Sequence, residues 1–123
     1  MNTALWVGQI LLALLGLSGL LKAFAPIPTL SEKLGKWAGD FPAPLVRLIG
    51  WAEVAAMLGL ILPPLLDVAT ILTPLAATGI AVIMVGAAVT HAKYREYSSI
   101  TVNVVLFAIA AFVAWGRFGE WSF

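Results

Sequence analysis

A single carboxylate, Glu53, lies in the middle of an otherwise apolar run, LVRLIGWAEVAAMLGLILPPLL, at residues 45–66. An acidic side chain within such a run is costly in a membrane, and it is usually paired or functional. We expect Glu53 to form a structural ion pair with Lys22 that fixes the helix register, or to anchor a ligand or exchange a proton. The sequence leaves both interpretations open.

Arg47, Gly50 and Glu53 are spaced i, i+3 and i+6 in the same run. On a helix, Arg47 and Glu53 then stand about 120° apart, which is a poor arrangement for a direct ion pair. We expect Arg47 to extend toward the lipid headgroups or to guard the entrance of a pocket. Gly50 leaves room for a neighbouring helix or for a ligand.

Three further polar residues fall in the same half of the membrane as Glu53. Helical side chains lean toward the N-terminus of their own helix, so Lys22 and His91 can approach Glu53, and Asn103 can reach His91 or Glu53. Each residue also has a simpler interpretation. Lys22 could extend to the headgroups, His91 could be favoured by the dipole at a helix end, and Asn103 could hydrogen-bond a neighbouring helix. The predicted ligand-binding residues are Lys22, Arg47, Gly50, Glu53, His91 and Asn103.

The sequence carries no motif for soluble catalysis or for metal binding. It has no Gly-rich phosphate loop and no plausible Ser-His-Asp arrangement. With no cysteine and a single histidine, neither thiol chemistry nor a metal centre is expected. No cofactor is evident, although a quinone or a lipid would suit a polar site between apolar helices. These features favour a lipophilic-ligand binding protein, or a structural or assembly partner of another membrane protein, over an enzyme.

These polar residues lie on a chain that is mostly apolar. Apolar residues make up 62% of the chain and charged residues 11%, an excess that lipid accommodates better than water. Four runs are each close to the roughly 20 residues that a helix needs to cross a bilayer. The predicted fold is all-α, a transmembrane four-helix up-down bundle in one membrane domain of residues 1–123. Its spans are predicted at about residues 3–25, 44–66, 70–91 and 99–117, and the second helix is expected to stop at Pro63-Pro64.

The polar connection between the first two spans carries its own helical pattern. Leu30, Leu34 and Trp37 are spaced i, i+4 and i+7, so they form one apolar face of a short helix. One interpretation is a helix that lies in the membrane interface, with Trp37 at the level of the headgroups. The alternative is a lid over the polar pocket.

Basic residues concentrate at one end of the predicted bundle. The positive-inside rule then makes the side with Lys33, Lys36, Lys93 and Arg95 cytoplasmic in a plasma (inner) membrane, with both termini outside. The first residues lack the positive segment of a signal peptide, so we expect the first apolar run to be retained. The expected partners are membrane lipids, a lipophilic small molecule, and a second copy or a larger membrane protein. A net charge of +1 gives no strong positive electrostatic field, so no binding of nucleic acid is expected.

Several segments resemble the DoxX-like family of small four-helix membrane proteins. They are SGLLKAF at residues 18–24, LVRLIGWAEV at 45–54, LTPLAATGIAVIMVGAAVTH at 72–91 and TVNVVLFAIAAF at 101–112. The most specific part is the R-x-x-G-x-x-E pattern of Arg47, Gly50 and Glu53, supported by Gly19 and Lys22. The resemblance implies the fold and a link either to quinol oxidase and thiosulfate–quinone chemistry or to the assembly of other membrane proteins.

Overall fold

The computed structural model describes residues 1–123, and the chain is 83% helical without strands. The helices are α1 (Asn2–Ala13), α2 (Leu15–Phe24), α3 (Ile27–Leu34), α4 (Trp37–Asp40), α5 (Ala43–Leu66), α6 (Leu72–Lys93) and α7 (Tyr97–Phe118). α1 and α2 form one span of 23 residues, because Leu14 between them keeps a helical backbone. Together with α5, α6 and α7 this makes four helices long and apolar enough to cross a membrane. The predicted four-helix fold is confirmed.

The second span does not stop at Pro63-Pro64, so the expected end of that helix is wrong. α5 continues through both prolines to Leu66. Neither proline has an N–H group, so the carbonyls of Gly59 and Leu60 lose the donors that a regular helix would supply four residues later. In hydrocarbon, such carbonyls need another partner from within the protein.

Side chains from two neighbouring helices supply the missing donors. Thr73 Oγ1 on α6 donates to the Gly59 carbonyl at 3.0 Å, and Gln9 Nε2 on α1 donates to the Leu60 carbonyl at 2.8 Å. Both donor residues are fully buried. The helix persists past the prolines because tertiary hydrogen bonds replace the two backbone bonds that the prolines remove.

The four spans pack tightly at one end of the bundle and loosely at the other. α1 packs against both α5 and α7, whereas α2 packs on α5 and makes no comparable contact with α7. The main apolar core, with Leu12, Leu60, Ile80 and Val113 at its centre, lies where α1, α5, α6 and α7 meet. The looser end, between α2, α5, α6 and α7, is where a cavity forms.

The connection between the first two spans forms two short helices instead of one. The break falls at Gly35, whose φ of +126° is a conformation that other residues rarely adopt. Leu30 on α3 and Trp37 on α4 still share one buried face, which packs with Val46 in a small second core. The apolar spacing seen in the sequence therefore marks the face that attaches α3 and α4 to the bundle.

Candidate functional site

A cavity of about 510 Å³ lies at the looser end of the bundle. That volume is within the range of roughly 300–1,000 Å³ that is usual for small-molecule sites. Four of the predicted site residues line it: Lys22 from α2, Glu53 from α5, His91 from α6 and Asn103 from α7. The rest of the wall is largely apolar.

Lys22 and Glu53 form a buried ion pair in the wall of this cavity. Lys22 Nζ lies 2.6 Å from Glu53 Oε1, and Glu53 is 1% exposed. The other carboxylate oxygen, Oε2, is buried without a hydrogen-bond donor. Lys22 Nζ also lies 5.7 Å from the centre of the Trp37 ring, a favourable position for a cation over an aromatic face. Lys22 therefore turns inward to Glu53 and does not extend to the headgroups.

His91 and Asn103 line the cavity but bond neither each other nor Glu53. His91 Nδ1 faces Glu96 Oε1 at 3.3 Å, and its ring meets the Trp37 ring edge-on at 6.4 Å between centroids. Asn103 Nδ2 is 3.5 Å from Met84 Sδ, while its Oδ1 is buried and has no partner. The expected hydrogen bond from Asn103 to His91 or Glu53 is therefore absent.

Arg47 and Gly50 lie outside the cavity and hold α2 against α5. Arg47 Nη1 donates to the carbonyls of Lys22, at 2.9 Å, and of Ala25. The Lys22 carbonyl is free because Pro26 has no N–H to donate, and a guanidinium suits the negative end of a helix. The expected extension of Arg47 toward the headgroups is therefore wrong, and Gly50 faces the backbone of α2, leaving no space for a ligand.

Side chains from the segment of α3 and α4 line one part of the cavity. Lys33, Leu34, Trp37 and Phe41 from this segment all line it. The rings of Trp37 and Phe41 pack edge-to-face at 5.5 Å. The sequence left open whether the apolar face with Trp37 lies at the membrane interface or over the pocket, since its spacing reveals an apolar face and not what that face contacts.

A hydrogen bond joins the end of α4 to the connection between α6 and α7. The Tyr94 hydroxyl donates to Asp40 Oδ2 at 2.9 Å. The pKa of Tyr94 is raised above its ordinary value, chiefly because this hydrogen bond to a carboxylate stabilises the protonated phenol. No pattern in the sequence pairs these two residues, because they come from connections far apart in the chain.

A family model described as the DoxX-like family matches residues 7–113 of the 123-residue chain. The chain belongs to the DoxX-like family. No curated protein and no solved structure matches it. The family and the four apolar helices together fit a multi-pass membrane protein. The match includes every cavity-lining residue of this DoxX-like protein, and it ends before Arg117.

The opposite end of this DoxX-like protein holds a second polar network that the sequence prediction missed. Arg117 Nε donates to Gln9 Oε1 at 2.8 Å, and Arg117 Nη1 donates to Asn2 Oδ1 at 2.8 Å. Gln9 in turn donates to the Leu60 carbonyl that Pro64 leaves free. The proline pair was the available signal, because two adjacent prolines inside a span require donors from elsewhere.

Proposed function

We propose that this DoxX-like protein binds a lipophilic small molecule, a quinone or a lipid, in the cavity beside Glu53. One observation carries the proposal: a cavity of about 510 Å³ whose wall contains a buried ion pair, Lys22–Glu53, among apolar side chains. Binding sites for small molecules combine apolar walls with a few fixed polar groups that orient the ligand. Lys22, Glu53, His91 and Asn103 would meet the polar end of the ligand.

The packing of the helices supports a lipophilic rather than a fully polar ligand. Leu15 and Ser18 of α2 and Leu106 of α7 line the cavity, and these two helices do not pack extensively on each other. An apolar tail would leave the cavity between them toward the surrounding lipid. Trp37 and Phe41 would cover the headgroup from the other side.

A cavity-filling substitution tests the proposal. Ala87 lines the cavity from α6, so Ala87→Trp would occupy the ligand volume. Val82, on the same helix but 67% exposed, gives a matched control in Val82→Trp. Small molecules that copurify with each variant would be measured by mass spectrometry, and binding of added decylubiquinone by the delipidated protein would be measured directly.

We expect Ala87→Trp to lose at least nine-tenths of the bound molecule and Val82→Trp to retain it. The proposal fails if wild-type protein carries no small molecule and binds no decylubiquinone, or if both tryptophan variants retain the same amount.

A structural or assembly role is the second candidate. It is favoured by the way in which Lys22 and Arg47 both tie α2 to α5, since a polar cluster can serve only to fix a bundle. The outer faces would then dock a second copy or a larger membrane protein. Crosslinking in native membranes distinguishes the two functions. If the same protein partner is crosslinked in every experiment and the cavity holds no ligand, the assembly role is supported.

A further inference from the structure

Two buried oxygen atoms on cavity-lining side chains have no hydrogen-bond donor. They are Oε2 of Glu53 and Oδ1 of Asn103, and the two residues are 1% and 8% exposed. Buried acceptors are nearly always paired in native proteins, so an unpaired one needs an explanation. Here the two acceptors come from different spans, α5 and α7, and both residues line the same cavity.

Three of the donor groups around the cavity already have partners. Lys22 Nζ bonds Glu53 Oε1, the oxygen that is already paired. Trp37 Nε1 donates to the Leu34 carbonyl at 3.2 Å, and Thr90 Oγ1 donates to a carbonyl of its own helix. To reach either acceptor, each of these three groups would give up an existing hydrogen bond. The hydroxyls of Ser18 and Ser99 also line the cavity and donate to neither oxygen.

We infer that the ligand of this cavity carries hydroxyl donors for Glu53 Oε2 and Asn103 Oδ1, one hydroxyl hydrogen for each oxygen. The inference rests on the proposed function, since it names the headgroup of the molecule that the cavity would hold. A carbonyl headgroup, as in an oxidised quinone, would place acceptor against acceptor, whereas each hydroxyl hydrogen would satisfy one of the two oxygens. Lys22 is neutralised by Glu53, so the buried part of the site favours a neutral headgroup.

A hydroxyl of this kind has two sources, a phenol such as a reduced quinone and an aliphatic alcohol such as a lipid hydroxyl. Matched probes separate them. 4-Nonylphenol is compared with 4-nonylanisole, and dodecan-1-ol with its methyl ether, because each pair differs in the donor while retaining the apolar body. Dissociation constants would be measured with delipidated full-length protein in detergent.

We expect at least one hydroxyl probe to bind the wild-type protein tenfold or more tightly than its methyl ether. Selectivity in the phenol pair alone indicates a phenolic ligand, and selectivity in the alcohol pair indicates a lipid hydroxyl. Asn103→Leu, which removes one acceptor, should reduce the preference severalfold, while Val104→Leu on the exposed face of α7 should leave it unchanged.

The comparison of each hydroxyl probe with its methyl ether on wild-type protein is sufficient to refute the inference. The test therefore does not depend on whether the variants fold. Equal affinities within both pairs would refute the hydroxyl donor and leave the proposed lipophilic site standing. Failure of all four probes to bind would contradict the proposed function as well.

Discussion

Gly19 on α2 and Gly50 on α5 lie against each other, with no room for a side chain on either. A Cβ atom at Gly19 would come within 2.7 Å of the Gly50 carbonyl oxygen, and one at Gly50 within 2.6 Å of the Gly19 carbonyl oxygen. Small residues at such a crossing let two membrane helices approach closely. Lys22 and Glu53 follow these glycines by about one helical turn, so this crossing sets the register of their ion pair.

Replacing Gly50 by alanine should separate α2 from α5. The added methyl group would meet backbone atoms, which cannot rotate away, so we expect a loss of about 1–3 kcal/mol in the free energy of unfolding. Thermal unfolding in detergent would measure it. Gly79→Ala is the control, since no atom beyond the nearby backbone of its own helix lies within 4 Å of the new methyl group, and the higher helix propensity of alanine should leave the free energy of unfolding unchanged or raise it by up to about 1 kcal/mol. Equal effects at the two positions would contradict the close crossing.

Removing one partner of the buried ion pair should cost far more than removing both. Lys22→Met leaves an uncompensated carboxylate, and we expect the free energy of unfolding to fall by about 3–5 kcal/mol. The double variant Lys22→Met/Glu53→Gln removes both charges and should recover most of that loss. A double-mutant cycle from unfolding measurements gives the coupling, and additive single effects would show that the 2.6 Å contact contributes little.

Thr73→Val tests whether tertiary hydrogen bonds compensate for the proline pair. The substitution removes the donor to the Gly59 carbonyl, so the free energy of unfolding should fall by about 1–3 kcal/mol. In a Pro63→Ala background a backbone N–H can replace the lost donor, and the same substitution should then cost less.

The matched control for this test is Thr90→Val. Thr90 Oγ1 bonds a carbonyl of its own helix at an exposed position, so its loss should have a smaller effect on unfolding. If the cost of Thr73→Val is the same with and without Pro63, the proposed compensation is wrong.

The hydrogen bond from Tyr94 to Asp40 should appear in an alkaline titration. The raised pKa of Tyr94 means that the contact is present while the phenol is protonated and is lost as pH rises through the folded-state pKa. In a Tyr97→Phe background only Tyr94 contributes phenolate absorbance, because the chain has two tyrosines.

Adding Asp40→Asn removes the carboxylate, and the absorbance midpoint should then move down toward the usual value of about 10. An unchanged midpoint would show that α4 is not fastened to the α6–α7 connection in this way.

The four spans could be predicted from the amino-acid sequence, and so could the approach of Lys22 to Glu53, although the sequence left open whether the two side chains pair. Long apolar runs have few alternatives in lipid, because only helices satisfy the backbone there. That approach followed from the direction of the spans and from the lean of helical side chains, which bring the end of one helix near the beginning of the next. These arguments need no knowledge of how each helix is rotated about its axis.

Which faces of the spans meet depends on tertiary packing and could not be predicted from the sequence. Each span is apolar around its whole circumference, so periodicity does not indicate the inward face. For that reason three contacts could not be predicted. Arg47 donates to a carbonyl at the end of α2, and Gln9 donates to the Leu60 carbonyl. Residues of the α3–α4 segment line the cavity. Helix rotation depends on local packing such as the Gly19–Gly50 crossing, and it is this packing that placed Glu53 and Asn103 around one cavity.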